Sequence, residues 1–224
     1  MTSDPEWQAR YEDRRQAMVD LQIAGRGIDN PQVLSAMRCV PRERFLAPEM
    51  RAQAYEDRPL PISEKQTISQ PYIVAYMTAA MQLTGGGSVL EIGTGSGYAA
   101  AVLAEIANRV VTVERHKSLA DRARKILHEL GYDNVEVVQA DGTLGWLEGA
   151  PYDGIVVTAG GPSVPRALKD QLAVGGRLVI PVGDRETEQA LVRITRVSED
   201  EFHEEQLSRV RFVPLVGEAG WQQR

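Results

Sequence analysis

The chain has 224 residues, 43% of them hydrophobic, and carries 25 Lys plus Arg against 31 Asp plus Glu, a formal net charge of −6. It is long enough to bury a substantial core in one large domain, its composition is ordinary for a soluble enzyme, and it lacks the basic footprint of a nucleic-acid binder. No run approaches the roughly 20 apolar residues of a membrane span, since "YAAAVLAEIANRVVTV" is broken by Glu105, Asn108 and Arg109.

The N-terminal "MTSDPEWQARYEDRR" is charged throughout and has no apolar h-region, so it does not read as a secretory signal. Residues 1 to about 60 read as helical and irregular. In "NPQVLSAM", Asn30 is the expected N-cap and Pro31 the first helical residue, with Val33, Leu34 and Met37 on one face. Cys39, the only cysteine, cannot form an internal disulfide, which suits a reducing cytoplasm. Nothing near "AMRCVPRERF" supplies the basic partner a thiol nucleophile needs, so a half-buried structural thiol is expected. Pro41, Pro48, Pro59 and Pro61 then argue for an extended connector rather than strands.

From Ser88 the pattern changes. "SVLEI", "RVVTVE", "VEVVQAD", "YDGIVVT" and "GGRLVIPVG" read as five short buried strands. Between them lie helical patterns from Tyr98 to Ile106, over "KSLADRARKILHEL" with Gly131 as its stop, and over "PRALKDQL". Strands alternating with helices predict an α/β fold, a doubly wound, mostly parallel sheet. "ALVRITRV" and "SRVRFVPL" alternate apolar and polar around the acidic turn "SEDEF", so antiparallel strands are expected at the sheet edge. One domain is expected: a cap over 1–62, a core over 63–183 and antiparallel strands over 184–224.

"VLEIGTGSGY" places Gly93, Gly95 and Gly97 between a strand and a helix. Glycines there permit a tight turn and let backbone N–H groups approach a ligand at the helix N-terminus. The G-x-G-x-G spacing differs from the dinucleotide fingerprint, and a ligand-free tight turn is the competing reading. Glu114 ends the next strand, 21 residues after Gly93, where doubly wound folds grip ribose hydroxyls with a carboxylate. Asp141 and Gly142 follow the third strand. A carboxylate there could accept from an exocyclic amine such as adenine's, and the glycine leaves room for the ring. The residues alone lead as far as an adenine nucleoside. His116, His128 and His203 lack metal-site spacing and read as solvated helix or loop residues, so no metal is expected.

"VLEIGTGSGYAAAVLA", "VVTVER" and "ADG" resemble the first motifs of class I S-adenosylmethionine-dependent methyltransferases. "VPRERF", "LPISEKQTISQPYIVAYM", "APYDGIVVTAGGPSVPRAL", "GGRLVIPVG" and "VRFVPL" narrow the resemblance to the protein-L-isoaspartate (D-aspartate) O-methyltransferase family, over nearly the whole chain from about Met18. The resemblance implies S-adenosylmethionine as cofactor and S-adenosylhomocysteine as product. It implies Glu91, Gly93, Gly95 and Gly97 around the methionine part, Glu114 at the ribose, and Asp141 with Gly142 at the adenine. "QTISQP" matches the loop closing over the transfer site, with Ser69 as the catalytic serine and Gln66, Thr67 and Ile68 lining the cleft. Gln189 is matched to a glutamine near that site. The implied substrates are damaged proteins and peptides with L-isoaspartyl, by extension D-aspartyl, residues. Methylation of the free α-carboxylate would start repair through a succinimide. A monomeric cytoplasmic enzyme is expected, with no nucleic-acid or membrane partner. Members of the family carry a glycine-rich stretch where this chain has Ser63, Glu64 and Lys65. That difference keeps open a dedicated modifier of one peptide, and a cofactor-binding module without catalysis is the alternative from another class.

Overall fold

The strong apolar runs form the centre of a seven-stranded sheet. The computed structural model describes residues 5–185 and 188–222, so the first four residues of the expected cap lie outside the described residues. Helix α1 (Pro5–Ala17) runs into a π turn at Met18–Ile23, and α2 spans Pro31–Cys39. Asn30 caps α2 as its residue type predicts, its side chain accepting from the N–H groups of Gln32 and Val33, with Pro31 first in the helix. The proline-rich connector is not simply extended. It winds into 3-10 turns at Arg42–Phe45 and Pro48–Gln53 before a small hairpin of β1 (Leu60–Pro61) and β2 (Thr67–Ile68). Proline fixes φ near −65°, which suits such turns as well as extended chain. Cys39 is exposed rather than half-buried, because the buried face of α2 is built from Val33, Ala36 and Met37.

Helix α3 (Pro71–Ala80) precedes the alternating core of β3 (Ser88–Ile92), α4 (Tyr98–Ala104), β4 (Arg109–Glu114), α5 (Lys117–Glu129) and β5 (Val135–Gln139). The chain continues through β6 (Tyr152–Val157), the short α6 (Arg166–Asp170), β7 (Leu172–Arg185), β8 (Glu188–Arg196) and β9 (Phe202–Val210). Strand order is β5-β4-β3-β6-β7-β8-β9, parallel from β5 to β7 and antiparallel for the last two pairings. Successive residues serve opposite faces. Val89, Val110, Val156 and Val179 pack with Met77 of α3 and Leu103 of α4, while Leu90, Val111, Ile155 and Leu178 pack with Leu168 of α6. Burial on both faces explains why these strands read as continuous apolar runs.

The last strand was misplaced by its pattern. β9 begins at Phe202 and ends at Val210, so "FHEEQLSRV" forms the edge and "RFVPL" leaves it. An edge strand with one open flank tolerates charge, which hid it behind the acidic turn. Phe212 is instead held by the Gln189 side chain, and Pro214 forms an isolated bridge with Gly160. Strand order reverses between β3 and β6, the point at which open α/β sheets bind ligands beyond the carboxyl ends of their strands.

Candidate active site

At that reversal the glycine turn leaves β3. Gly93 has φ 97°, and a Cβ there would lie 2.4 Å from the Thr158 hydroxyl oxygen at the end of β6. Only a glycine accepts both the left-handed backbone and that close approach. The Gly95 N–H donates to Glu114 Oε2 at 2.9 Å, and the His116 N–H donates to Oε1 at 2.9 Å. Each carboxylate oxygen thus keeps a further lone pair for another donor. Glu114 is 5% exposed and lines a cavity with Glu91, Gly93, Gly95, His116, Gly142 and Thr158. Paired ribose hydroxyls fit such an acceptor.

Glu91 is fully buried beneath this cavity. Its Oε2 accepts from the Thr112 hydroxyl at 2.6 Å, and Thr112 lies 2.6 Å from the Thr94 hydroxyl. Its Oε1 has no hydrogen-bond partner. Burial pushes the carboxyl up to about 8, opposed by the Thr112 hydrogen bond and reinforced by the Glu114 charge, so the group is mostly neutral at pH 7. A donor or a cation from a ligand at this unpaired oxygen would favour the ionised carboxylate that burial alone disfavours.

The opposite wall comes from the hairpin. Gln66, Thr67, Ile68 and Ser69 all line the cavity. Pro71 is the first residue of α3 and Gln70 occupies the N-cap without a side-chain capping bond, so Ser69 stands just outside the helix. Its hydroxyl has no hydrogen-bond partner among the described residues, while its carbonyl accepts from Arg42 Nη2 at 2.8 Å. Arg42 is fully buried, donates through Nε to Ala54 C=O at 2.8 Å and lies 4.7 Å from the centre of the Tyr98 ring, which lines the cavity. Burial lowers the guanidinium to about 10, with Tyr98 and Tyr55 opposing that fall, and it stays cationic at neutral pH.

A profile of the family described as protein-L-isoaspartate(D-aspartate) O-methyltransferase matches residues 13–220. The chain belongs to this family. Relatives named protein-L-isoaspartate O-methyltransferase include one from Pelobacter propionicus, 61% identical over 93% of this chain and 92% of its own length. One from Rhodopseudomonas palustris is 61% identical over 92% of this chain and 94% of its own. A solved protein-L-isoaspartate O-methyltransferase superimposes with a TM-score of 0.82 at 30% identity, over 92% of this chain and 67% of that one. A candidate family structure from Plasmodium falciparum, in complex with S-adenosyl-L-homocysteine, gives 0.78 at 26% identity, over 90% and 98%.

Within the frame of this methyltransferase family, three of the expected residues do not line the cavity. Gly97 is the N-cap of α4, and a Cβ there would meet Ala123 of α5 at 3.2 Å, so it serves helix packing. Asp141 accepts from the N–H and hydroxyl of Thr143 at 2.9 and 2.7 Å and from the Glu218 N–H at 2.8 Å. Burial opposes ionisation there, but the bonds from Glu218 and Thr143, with Arg115 nearby, hold its carboxyl below the ordinary range. Its Oδ1 is thus filled by Thr143, while Oδ2, held by the C-terminal loop, keeps a further lone pair. Gln189 is 2% exposed and holds Phe212 by both ends of its amide. Gly142 does line the cavity, yet a Cβ there would strike Ile92 at 2.4 Å, so glycine serves loop approach to the strand.

Several lining residues escaped the sequence reading. His116, expected in solvent, is half-buried at the start of α5 and lines the cavity. Leu215 and Val216 arrive from the far end of the chain, and Thr158 from β6. Only the strand-end position of Thr158 carried any signal, since parallel sheets put ligands there.

Proposed function

We propose that the protein transfers a methyl group from S-adenosylmethionine to the free α-carboxylate of L-isoaspartyl residues in damaged proteins and peptides, leaving S-adenosylhomocysteine. The observation that carries this is the shared wall of two spaces. Thr67, Ser69, Thr158, Val213 and Pro214 line both the cavity of Glu91 and Glu114 and an open groove flanked by Pro59, Ile73 and Arg209–Phe212. A nucleoside fits the first and a peptide fits the second, with Ser69 between them.

S-adenosylmethionine supplies a methyl group on a positively charged sulfur. The residues of this chain fit it: Glu114 would offer acceptors to the ribose, Glu91 would offer its orphan Oε1 to the cationic methionine end, and Gly142 with Val216 would border the remaining space. The acceptor α-carboxylate is ionised at neutral pH, since such groups titrate at about 3.3–3.7, so no general base is needed. The protein's work is alignment and exclusion of water, worth roughly 7–11 kcal/mol in favourable cases. The free Ser69 hydroxyl donates to the acceptor carboxylate and orients it, while Arg42 fixes the Ser69 carbonyl. The following backbone amide nitrogen then attacks the ester carbonyl and expels methanol to give a succinimide, whose hydrolysis returns some normal aspartate.

No helix among the described residues is long and apolar enough to cross a membrane. We further read the protein as a cytoplasmic monomer. The lone cysteine supports the first. The deciding experiment offers labelled cofactor with two peptides that differ only in isoaspartate or aspartate. Label is expected on the isoaspartyl peptide alone. Equal labelling would sink the specificity, and activity confined to one precursor peptide would favour a dedicated modifier.

A further inference from the structure

The β1–β2 hairpin is closed by Ile62 N–H to Gln66 C=O at 2.9 Å and Gln66 N–H to Ser63 C=O at 3.1 Å. Its central residues, Glu64 and Lys65, both have φ 56°. Tight hairpins normally give that left-handed conformation to glycine or asparagine. Non-glycine residues persist there when surrounding contacts hold them. Here the Ser118 hydroxyl donates to Glu64 Oε1 at 2.6 Å, and His116 Nδ1 lies 3.8 Å from Glu64 Oε2. Both partners sit at the start of α5, where unpaired N–H groups and the helix dipole favour an anion. His116 lines the cofactor cavity, and its N–H holds Glu114. The strand leaving the hairpin carries Gln66 to Ser69, which line the opposite wall. The tip therefore ties the segment bearing Ser69 to the segment bearing Glu114.

We propose that Glu64 is a positioning residue, a latch that holds the hairpin closed over bound cofactor through Ser118 and His116. The inference rests on the assignment of the cavity to S-adenosylmethionine. Glu64 is 40% exposed, so water competes for the contact and the latch opens within each turnover. A closed hairpin retains the cofactor; opening releases the product.

The test measures S-adenosylhomocysteine dissociation by stopped flow for wild type, Glu64→Ala, Ser118→Ala and the double variant. Each single change is expected to speed dissociation about two- to fivefold, with cofactor KM rising in step and kcat at saturation not falling. The double variant should be no faster than the faster single, because Glu64→Ala already removes the contact that Ser118→Ala removes. Glu64→Gly should match Glu64→Ala in dissociation while raising Tm, since glycine accepts the left-handed turn. Rates equal to wild type, or single effects that multiply in the double variant, overturn the latch. A protein that binds no S-adenosylhomocysteine overturns the cavity assignment instead. Amide exchange at Gln66 without cofactor then still reads the latch: faster exchange in Glu64→Ala and Ser118→Ala supports it, and unchanged exchange overturns it.

Discussion

Ser69 lines both spaces and its hydroxyl has no partner among the described residues, whereas the Glu114 carboxylate already holds Gly95 and His116 and lines only the cavity. Their substitutions should therefore fail differently. Ser69→Ala is expected to lower kcat at least about tenfold, with cofactor affinity within about twofold, because one orienting donor is lost and the cavity is untouched. Glu114→Ala should weaken cofactor binding by about 1–3 kcal/mol, from lost charged acceptors and a loosened turn. Calorimetry beside steady-state kinetics separates the two, and a large loss of affinity in Ser69→Ala would refute the division. The strand-end position of Glu114 was legible in one dimension, and the family resemblance marked Ser69. That the Ser69 carbonyl rests on a buried arginine 27 residues earlier was not, because nothing in "VPRERF" marks Arg42 as buried. Arginine is almost never fully buried without partners, so its type argued the other way.

At the scale of elements, the C-terminal loop shows how a motif residue can be claimed by a neighbour. Glu218 N–H binds Asp141, Ala219 N–H binds the Thr143 hydroxyl, and the Trp221 indole donates to Gly160 C=O. These bonds place Leu215 and Val216 in the cavity wall. The folded-state pKa of Asp141 lies below its unfolded value of about 3.9. The stability it contributes is therefore complete above that value and is lost as pH falls through the lowered folded value. The loop should loosen only in acid below about pH 4. Asp141→Asn turns one acceptor into a donor facing Glu218 N–H and should cost about 1–2 kcal/mol at neutral pH. Hydrogen exchange at Glu218 and Ala219 checks both. Protection in the variant that equals wild type at pH 7 would show that Asp141 does not hold the loop. Asp141 followed its strand as the pattern required, but an alternating strand reading of "SRVRFVPL" could not disclose this loop.

At the scale of the whole molecule, the sheet buries an acid that only a ligand completes. Glu91 titrates near 8 in the folded chain, against 4.5 for an ordinary glutamate. Its raised folded value means that the native state binds the extra proton, so stability is full below the unfolded value and is lost as pH rises through 8. Glu91→Gln removes that dependence. The stability of the variant relative to wild type should improve by about 2–4 kcal/mol between pH 5 and 8, while its cofactor affinity falls. Denaturant unfolding at pH 5, 7 and 8 reads the first and calorimetry the second; parallel pH profiles would show that Glu91 is not the buried acid that titrates.

The sequence by itself determined the winding of β3 to β7 and the glycine turn with Glu91 and Glu114 at its strand ends. Apolar periodicity is a local signal, and both faces of a parallel sheet demand it. Tertiary structure alone decided which polar groups meet: Ser69 with Arg42, Glu64 with Ser118, and Asp141 with Glu218, at separations of 27, 54 and 77 residues. Hydrogen bonds between such distant groups leave no periodic trace, since each partner is drawn from polar types that most often face water. The cavity's far wall, from Thr158 to Val216, is a product of strand order, and strand order exists only once the sheet has assembled.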